Sequence, residues 1–455
     1  MATALIVTDG LGGLDPRAPG AGNTVLAGLT LTERAALAAQ RAGIDRIHIA
    51  GECLPDEGLL ARLRARGLSI TCTPARHLPF AGVPPDTFLV VLPVVTLVEP
   101  PAIATLMNLV RLSAGEAVLV VDPRPEARHR FVLVENGRVR ALMTDGNAAA
   151  TGLALLTPEA VDLVRDAPSV WAAFRRLARA TTLWAVGVEP RFCKRLYDDA
   201  DRAGLERDYI RHTNGGNNES FFTKQIRRLS VPLTRQFVRL PVTANHVTMA
   251  GLALSAAAGT AFAAGGYWAP LAGAACYYAS TVLDCSDGEV ARAKYCESSF
   301  GCWLETAADY ASYVFAWAGI TIAALRANPH SVYSQTALVA LGSSLLMFAF
   351  TAYLRHRIAR ASPGQMDATV AATLAVRSPV HRFSGWARQW IKRSTLAHLL
   401  LVLALIGQLK VILLLWAFGA SAALLLGLVV HRALVSRAIV PGWRGATARG
   451  ATFHA

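Results

Sequence analysis

The apolar positions change their period and run length about halfway along the chain, and two kinds of structure follow from that change. Residues 2–8 (ATALIVT) form a continuous apolar run, the pattern of a strand buried on both faces. A Gly-rich turn, Asp9–Gly13, comes next, then LTERAALAAQRAG at helical spacing, then a second strand, RIHIA. Further runs at TFLVVLPV, AVLVVD and RFVLVENGRV continue the alternation. The expected product is an α/β domain built on a parallel sheet over residues 1–200.

From Ser220 to Leu240 the pattern is different. Phe222, Ile226, Leu229, Leu233 and Phe237 recur at helical spacing, with Lys224, Arg227, Arg228, Arg235 and Arg239 between them. A basic amphipathic helix at a membrane interface fits this pattern, and a soluble interdomain helix is the alternative. Residues 201–243 are therefore a linker containing that helix. Beyond it come about six apolar stretches, each near the roughly 20 residues needed to cross a bilayer. They lie near 246–265, 268–291, 299–325, 334–356, 390–408 and 411–433, within a membrane domain over 244–440. Lys and Arg concentrate before Asn245, in Arg292–Ser298, between Arg355 and Arg393, and after His431. That bias puts both termini, the tail 441–455 included, on the cytoplasmic side of the inner membrane.

Composition narrows the partners. The formal net charge is +14, but the basic residues flank apolar helices instead of forming a dense patch, so anionic lipid is expected and nucleic acid is not. The seven cysteines form no CxxC pair and no Cys/His cluster, which argues against zinc and for reduced thiols. The N-terminus has no basic segment ahead of its apolar run, so no cleaved signal peptide is expected.

The chemistry concentrates in residues 284–309, DCSDGEVARAKYCESSFGCWLETAAD. On one helix Asp284, Asp287, Gly288 and Ala291 share a face, with Arg292 at its border. On the next, Gly301, Glu305 and Asp309 stack on one face. Four carboxylates converging at a membrane boundary repel one another, and divalent cations are the natural compensation. Mg²⁺ or Mn²⁺ suits an all-oxygen donor set that also holds a pyrophosphate. Gly288 and Gly301 leave room for a nucleotide, Arg292 is a phosphate clamp, and one carboxylate takes the proton of an alcohol nucleophile. Ion-paired acids at helix ends are the bland alternative.

Asp284–Arg292 followed by Gly301, Glu305 and Asp309 resembles the signature of the CDP-alcohol phosphotransferase (CDP-alcohol phosphatidyltransferase) family, DxxDGxxAR followed by GxxxDxxxD. The resemblance implies a six-helix membrane fold, a homodimer, and transfer of a substituted phosphate from a CDP-alcohol to an acceptor alcohol with release of CMP. Carried over by position, Asp284, Asp287, Glu305 and Asp309 are metal ligands and Asp309 is the general base. Asp284, Gly288, Ala291, Arg292 and Gly301 border the CDP site. Glu305 departs from the pattern, which has Asp there. The lead-in PVTANHV resembles the family's entry to its first span, with Ala244 in place of Pro and Asn245 as a possible helix cap.

The front half resembles the sugar-phosphate nucleotidyltransferase fold. Its pairing with the rear half is similar to the bifunctional inositol-phosphate cytidylyltransferase/di-myo-inositol-phosphate phosphate synthase family, on ALIVTDGLGG, LTERAALAAQRAGIDRIHIAG, AVLVVDPRP and TGLALL. Leu14 stands where that fold places an Arg, no lysine precedes Lys194, and FLVVLPVV has Pro93 and Val94 where a metal-binding Asp is expected. Arg17 and Arg34 are the candidate substitutes. A non-catalytic front domain is the favoured reading over an active cytidylyltransferase. For the whole chain, a CDP-alcohol phosphotransferase in phospholipid or polyol-phosphodiester synthesis leads over a transporter, for which repeats and broken helices are missing, and over an inactive membrane scaffold.

Overall fold

The computed structural model describes residues 2–8, 21–51, 54–74, 79–80, 82–109, 112–122, 131–143, 146–187, 193–196, 199–213, 220–354 and 392–438. The turn Asp9–Gly13, Leu14, Arg17, Cys53, the stretch from Arg355 to 391 and the tail 441–455 lie outside them. The chain divides into two compact units, one of residues 1–208 with 446–455 and one of 209–445.

In the first unit, β1 (Ala2–Val7) pairs in parallel with β4 (Arg46–Gly51) and β6 (Phe88–Pro93), and β5 (Ser69–Pro74) extends the sheet beyond β4. The full strand order is β5-β4-β1-β6-β11-β8-β12-β10-β9, with β8 at Ala117–Asp122, β9 at Phe131–Glu135, β10 at Arg138–Met143, β11 at Ala148–Leu156 and β12 at Leu183–Gly187. The sheet is mixed, which corrects the expected parallel one. β11 runs antiparallel to β6 and β8, and β9–β10 is a hairpin. RFVLVENGRV is therefore two strands around a tight turn: Asn136 and Gly137 adopt φ of 49° and 72°, the left-handed pair that a two-residue hairpin requires. Two short pairs complete the strands, β2 (Val25–Leu26) with β3 (Leu29–Thr30), and β7 (Thr96–Val98) with β13 (Cys193–Arg195).

Helix α1 (Leu31–Arg41) starts where Thr30 accepts a bond from the Glu33 amide. It is followed by α2 (Glu57–Ala65), α3 (Pro100–Leu109), α4 (Pro158–Val164), α5 (Val170–Arg179) and α6 (Asp199–Thr213). One face of the sheet packs on α4 and α5 through Leu89, Leu119, Leu156, Val164, Trp171, Phe174 and Leu177, all buried. Arg34 is buried on α1, and its Nη2 donates to the carbonyls of Leu26 (2.6 Å) and Ala27 (3.3 Å). It ties the β2–β3 turn to α1.

The second unit is helical: α7 (Phe221–Phe237), α8 (Ala244–Ala264), α9 (Trp268–Ala293), α10 (Ser299–Ala327), α11 (Val332–Leu354), α12 (Arg393–Leu405) and α13 (Val411–Ala438). Among the described residues three segments are long and apolar enough to cross a membrane, Ala244–Ala264, Ser299–Ala327 and Val332–Phe350. Three of the six expected spans are thus matched among the described residues. Helix α9 is long but carries Asp284, Asp287, Glu289 and Arg292, and α12 has only 13 residues. Small residues bring α8 and α10 together: a Cβ on Gly259 would lie 2.6 Å from the Phe315 carbonyl oxygen. Trp317 stacks on Trp416 with ring centroids 4.6 Å apart, and the Trp416 indole donates to Ser344 Oγ (2.6 Å).

Candidate active site

Helix α9 carries the first half of the acid motif and α10 the second. Ser298 caps α10 by accepting from the Gly301 amide (3.0 Å), which starts the helix so that Glu305 and Asp309 lie one and two turns further on. Asp284 and Asp309 are brought together, because Arg393 Nη1 donates to Oδ1 of both, at 2.8 and 2.7 Å. Arg393 is the first residue of α12 and only 8% exposed. Its Nη2 donates to Ser280 Oγ (3.0 Å) and Ser255 Oγ (3.3 Å), and its guanidinium carbon lies 5.8 Å from the Tyr277 ring centroid.

The other two acids do not share the Arg393 bonds. Asp287 is 2% exposed, accepts from Thr248 Oγ1 (2.6 Å) on α8, and takes the amide of Gly288. Glu305 is exposed. The resemblance of the acid motif implies divalent metals, and carboxylate oxygens are the right donor chemistry. Yet among the described residues no three His, Cys, Asp or Glu side chains are arranged to hold a metal ion. The expected quartet Asp284, Asp287, Glu305 and Asp309 does not fit an ion as arranged, because Arg393 takes the facing oxygens of two members and Thr248 takes one of the third.

Two further expectations change. Gly288 borders Arg292: a Cβ there would lie 3.0 Å from Arg292 Nη1, so the glycine makes space for that guanidinium. Asn245 is not the cap of α8. Thr243 caps it in a capping box with His246, while a Cβ on Gly301 would lie 3.5 Å from Asn245 Oδ1, which puts Asn245 beside the start of α10. Ala291 and Arg292 both sit half-buried on the last turn of α9.

Glu289, an unspecified position of the signature, is fully buried. It accepts from Arg227 Nη1 (2.9 Å), Ser230 Oγ (2.7 Å) and Thr234 Oγ1 (2.6 Å), all on α7. Helix α7 thus meets α9 through Ile226, Ser230, Val231 and Thr234, a partly polar face rotated from the apolar stripe expected, while Phe221 and Leu229 are exposed. Lys294 Nζ fixes the end of α7 by donating to the carbonyls of Leu240 (3.1 Å) and Val242 (3.0 Å). Sequence reasoning missed Glu289, Thr248, Ser255, Ser280 and Arg393. The only signal for Arg393 was a charge opening an apolar run, the same signal every loop arginine gives.

Comparison with known proteins agrees with the rear half of the reading. No curated protein matches the chain. Among solved structures, the inositol-1-phosphate CTP transferase from T. maritima is similar at 14% identity and a TM-score of 0.38, over 48% of this chain and 98% of that one. A UDP-glucose pyrophosphorylase complexed with UDP-glucose is similar at 12% identity and a TM-score of 0.37, over 46% and 99%. The UDP-glucose pyrophosphorylase from Acinetobacter baumanii gives 14% and 0.35, over 51% and 99%. The family model for CDP-alcohol phosphatidyltransferase matches residues 241–429, from the lead-in of α8 into α13 and across the whole acid motif. Residues 241–429 are thus a CDP-alcohol phosphatidyltransferase domain.

Proposed function

We propose that this protein transfers a substituted phosphate from a CDP-alcohol, of the CDP-diacylglycerol or CDP-inositol type, to an acceptor alcohol at the cytoplasmic face of the inner membrane. The observation that carries the reading is the pairing of Asp284 and Asp309, two ends of one signature on two helices, around a single guanidinium nitrogen. The acceptor hydroxyl oxygen forms the new P–O bond as the bond to CMP breaks. Asp309, the more exposed of the two acids at 35%, takes the hydroxyl proton. CMP leaves as the phosphate monoester, and Arg292 borders the nucleotide phosphates with Gly288, Ala291 and Gly301. A homodimer is the expected assembly, and the front domain is non-catalytic, a reading supported by the structural use of Arg34.

The test is CMP release by the purified full chain, supplied with CDP-diacylglycerol or CDP-inositol, Mg²⁺ or Mn²⁺, and a panel of alcohols. Release that disappears in Asp309→Asn is the expected result. No release with any donor and acceptor overturns the reading and leaves an inactive scaffold, the alternative that Glu305 in place of Asp raises.

A further inference from the structure

We propose that Arg393 is a resident counter-cation of the acid cluster, held in competition with a divalent metal ion for the carboxylates of Asp284 and Asp309. An arginine side chain carries a permanent charge, and removing it from water costs several kcal/mol unless partners replace the lost hydration. Here they do. Two carboxylates receive Nη1 and two serine hydroxyls receive Nη2.

The serines are arranged to accept. Ser280 Oγ has the Tyr277 carbonyl within reach for its own proton (2.8 Å), and Ser255 Oγ has the Gly251 carbonyl (3.1 Å), which leaves oxygen lone pairs facing the guanidinium. Partners from α8, α9 and α10 therefore converge on one side chain of α12. Helix electrostatics do not explain the placement. Arg393 opens α12, where the positive end of the helix dipole disfavours a cation, so it is the carboxylates that hold it there.

A metal ion at Asp284 and Asp309 would share the carboxylates that Arg393 now holds and would bring a second positive charge against the first. One guanidinium balances only one of the four carboxylates, so the cluster would still attract cations and the outcome would be competition, not exclusion. The inference concerns occupancy of the cluster and is read without turnover, so its failure is distinct from failure of the transferase reading.

The experiment is a titration of full-length protein in detergent with Mn²⁺ alone, following the free ion by electron paramagnetic resonance. Arg393→Gln is expected to bind Mn²⁺ about tenfold more tightly than the wild type, the scale of one lost charged hydrogen-bond set. Adding Asp309→Asn to that variant should abolish the gain. Unchanged or weaker binding in Arg393→Gln, or a gain that survives Asp309→Asn, overturns the proposal. Should Arg393→Gln fail to purify as a folded protein, Arg393→Met decides the matter. It keeps an unbranched side chain and removes the charge, so tighter Mn²⁺ binding than wild type supports the proposal and equal binding overturns it.

Discussion

The two units differ in how their cores are built. The main core cluster of the front unit is aliphatic and aromatic: Leu5, Leu89, Leu119, Leu156, Phe174 and Leu177 are wholly buried in it, and the buried Arg34 and His48 lie outside that cluster. The interior of the helical unit contains Glu289, Asp287 and Arg393, each with its own set of donors or acceptors. Apolar burial is non-directional and tolerates a change of shape, whereas a buried charge fixes where its partners stand. Stability in the front unit is thus spread over many contacts, and geometry in the rear unit is concentrated in a few.

The largest expected effect breaks the chemistry alone. Asp309→Asn should lower CMP release by about 10²–10⁴-fold, the usual contribution of a general base, with the front unit unaffected. Glu289→Ala should come next. Removing one member of a buried ionic network costs about 3–5 kcal/mol, and hydrogen exchange measured by mass spectrometry should show α7 peptides opening while β1 and β6 stay protected. If α7 keeps its protection, the concentrated-geometry account of the rear unit fails.

Leu119→Ala probes the other side of the contrast. A cavity in the aliphatic core should cost about 2–5 kcal/mol and speed exchange through the front sheet, while CMP release stays at the wild-type level. The smallest effect involves the front unit's buried histidine. His48 Nδ1 lies 2.8 Å from Thr71 Oγ1, and burial holds its pKa below the ordinary 6.5. The fold therefore prefers the neutral ring. Stability from this group is complete above the ordinary value and declines as pH falls through it, because the unfolded chain protonates first. Denaturant unfolding from pH 8 to pH 5 should show that decline in the wild type, and a parallel decline in His48→Asn would remove His48 as its source.

Local periodicity made much of this legible. The strand and helix order through residue 50, the hydrophobic helices after Ala244 and the register of Asp284 through Asp309 follow from neighbours within a turn or two. What needed partners far along the chain was misread. Strand β11 is apolar enough for either orientation, and only its pairing with β6 and β8 makes the sheet mixed. The buried face of α7 was invisible because Ser230 and Thr234 count as polar, and their burial depends on Glu289.

The sequence by itself determined that there are two regions, that the rear one is built of apolar helices, and that one stretch of 26 residues holds the four acids of the signature. Those conclusions rest on patterns whose period is one helix turn or one strand pleat. Only the tertiary structure decided what the acids face. Arg393 lies 109 residues from Asp284 in the chain, and no spacing rule connects them. Their meeting is set by the packing of α12 on α9, where four polar partners satisfy a charge that the interior would otherwise reject.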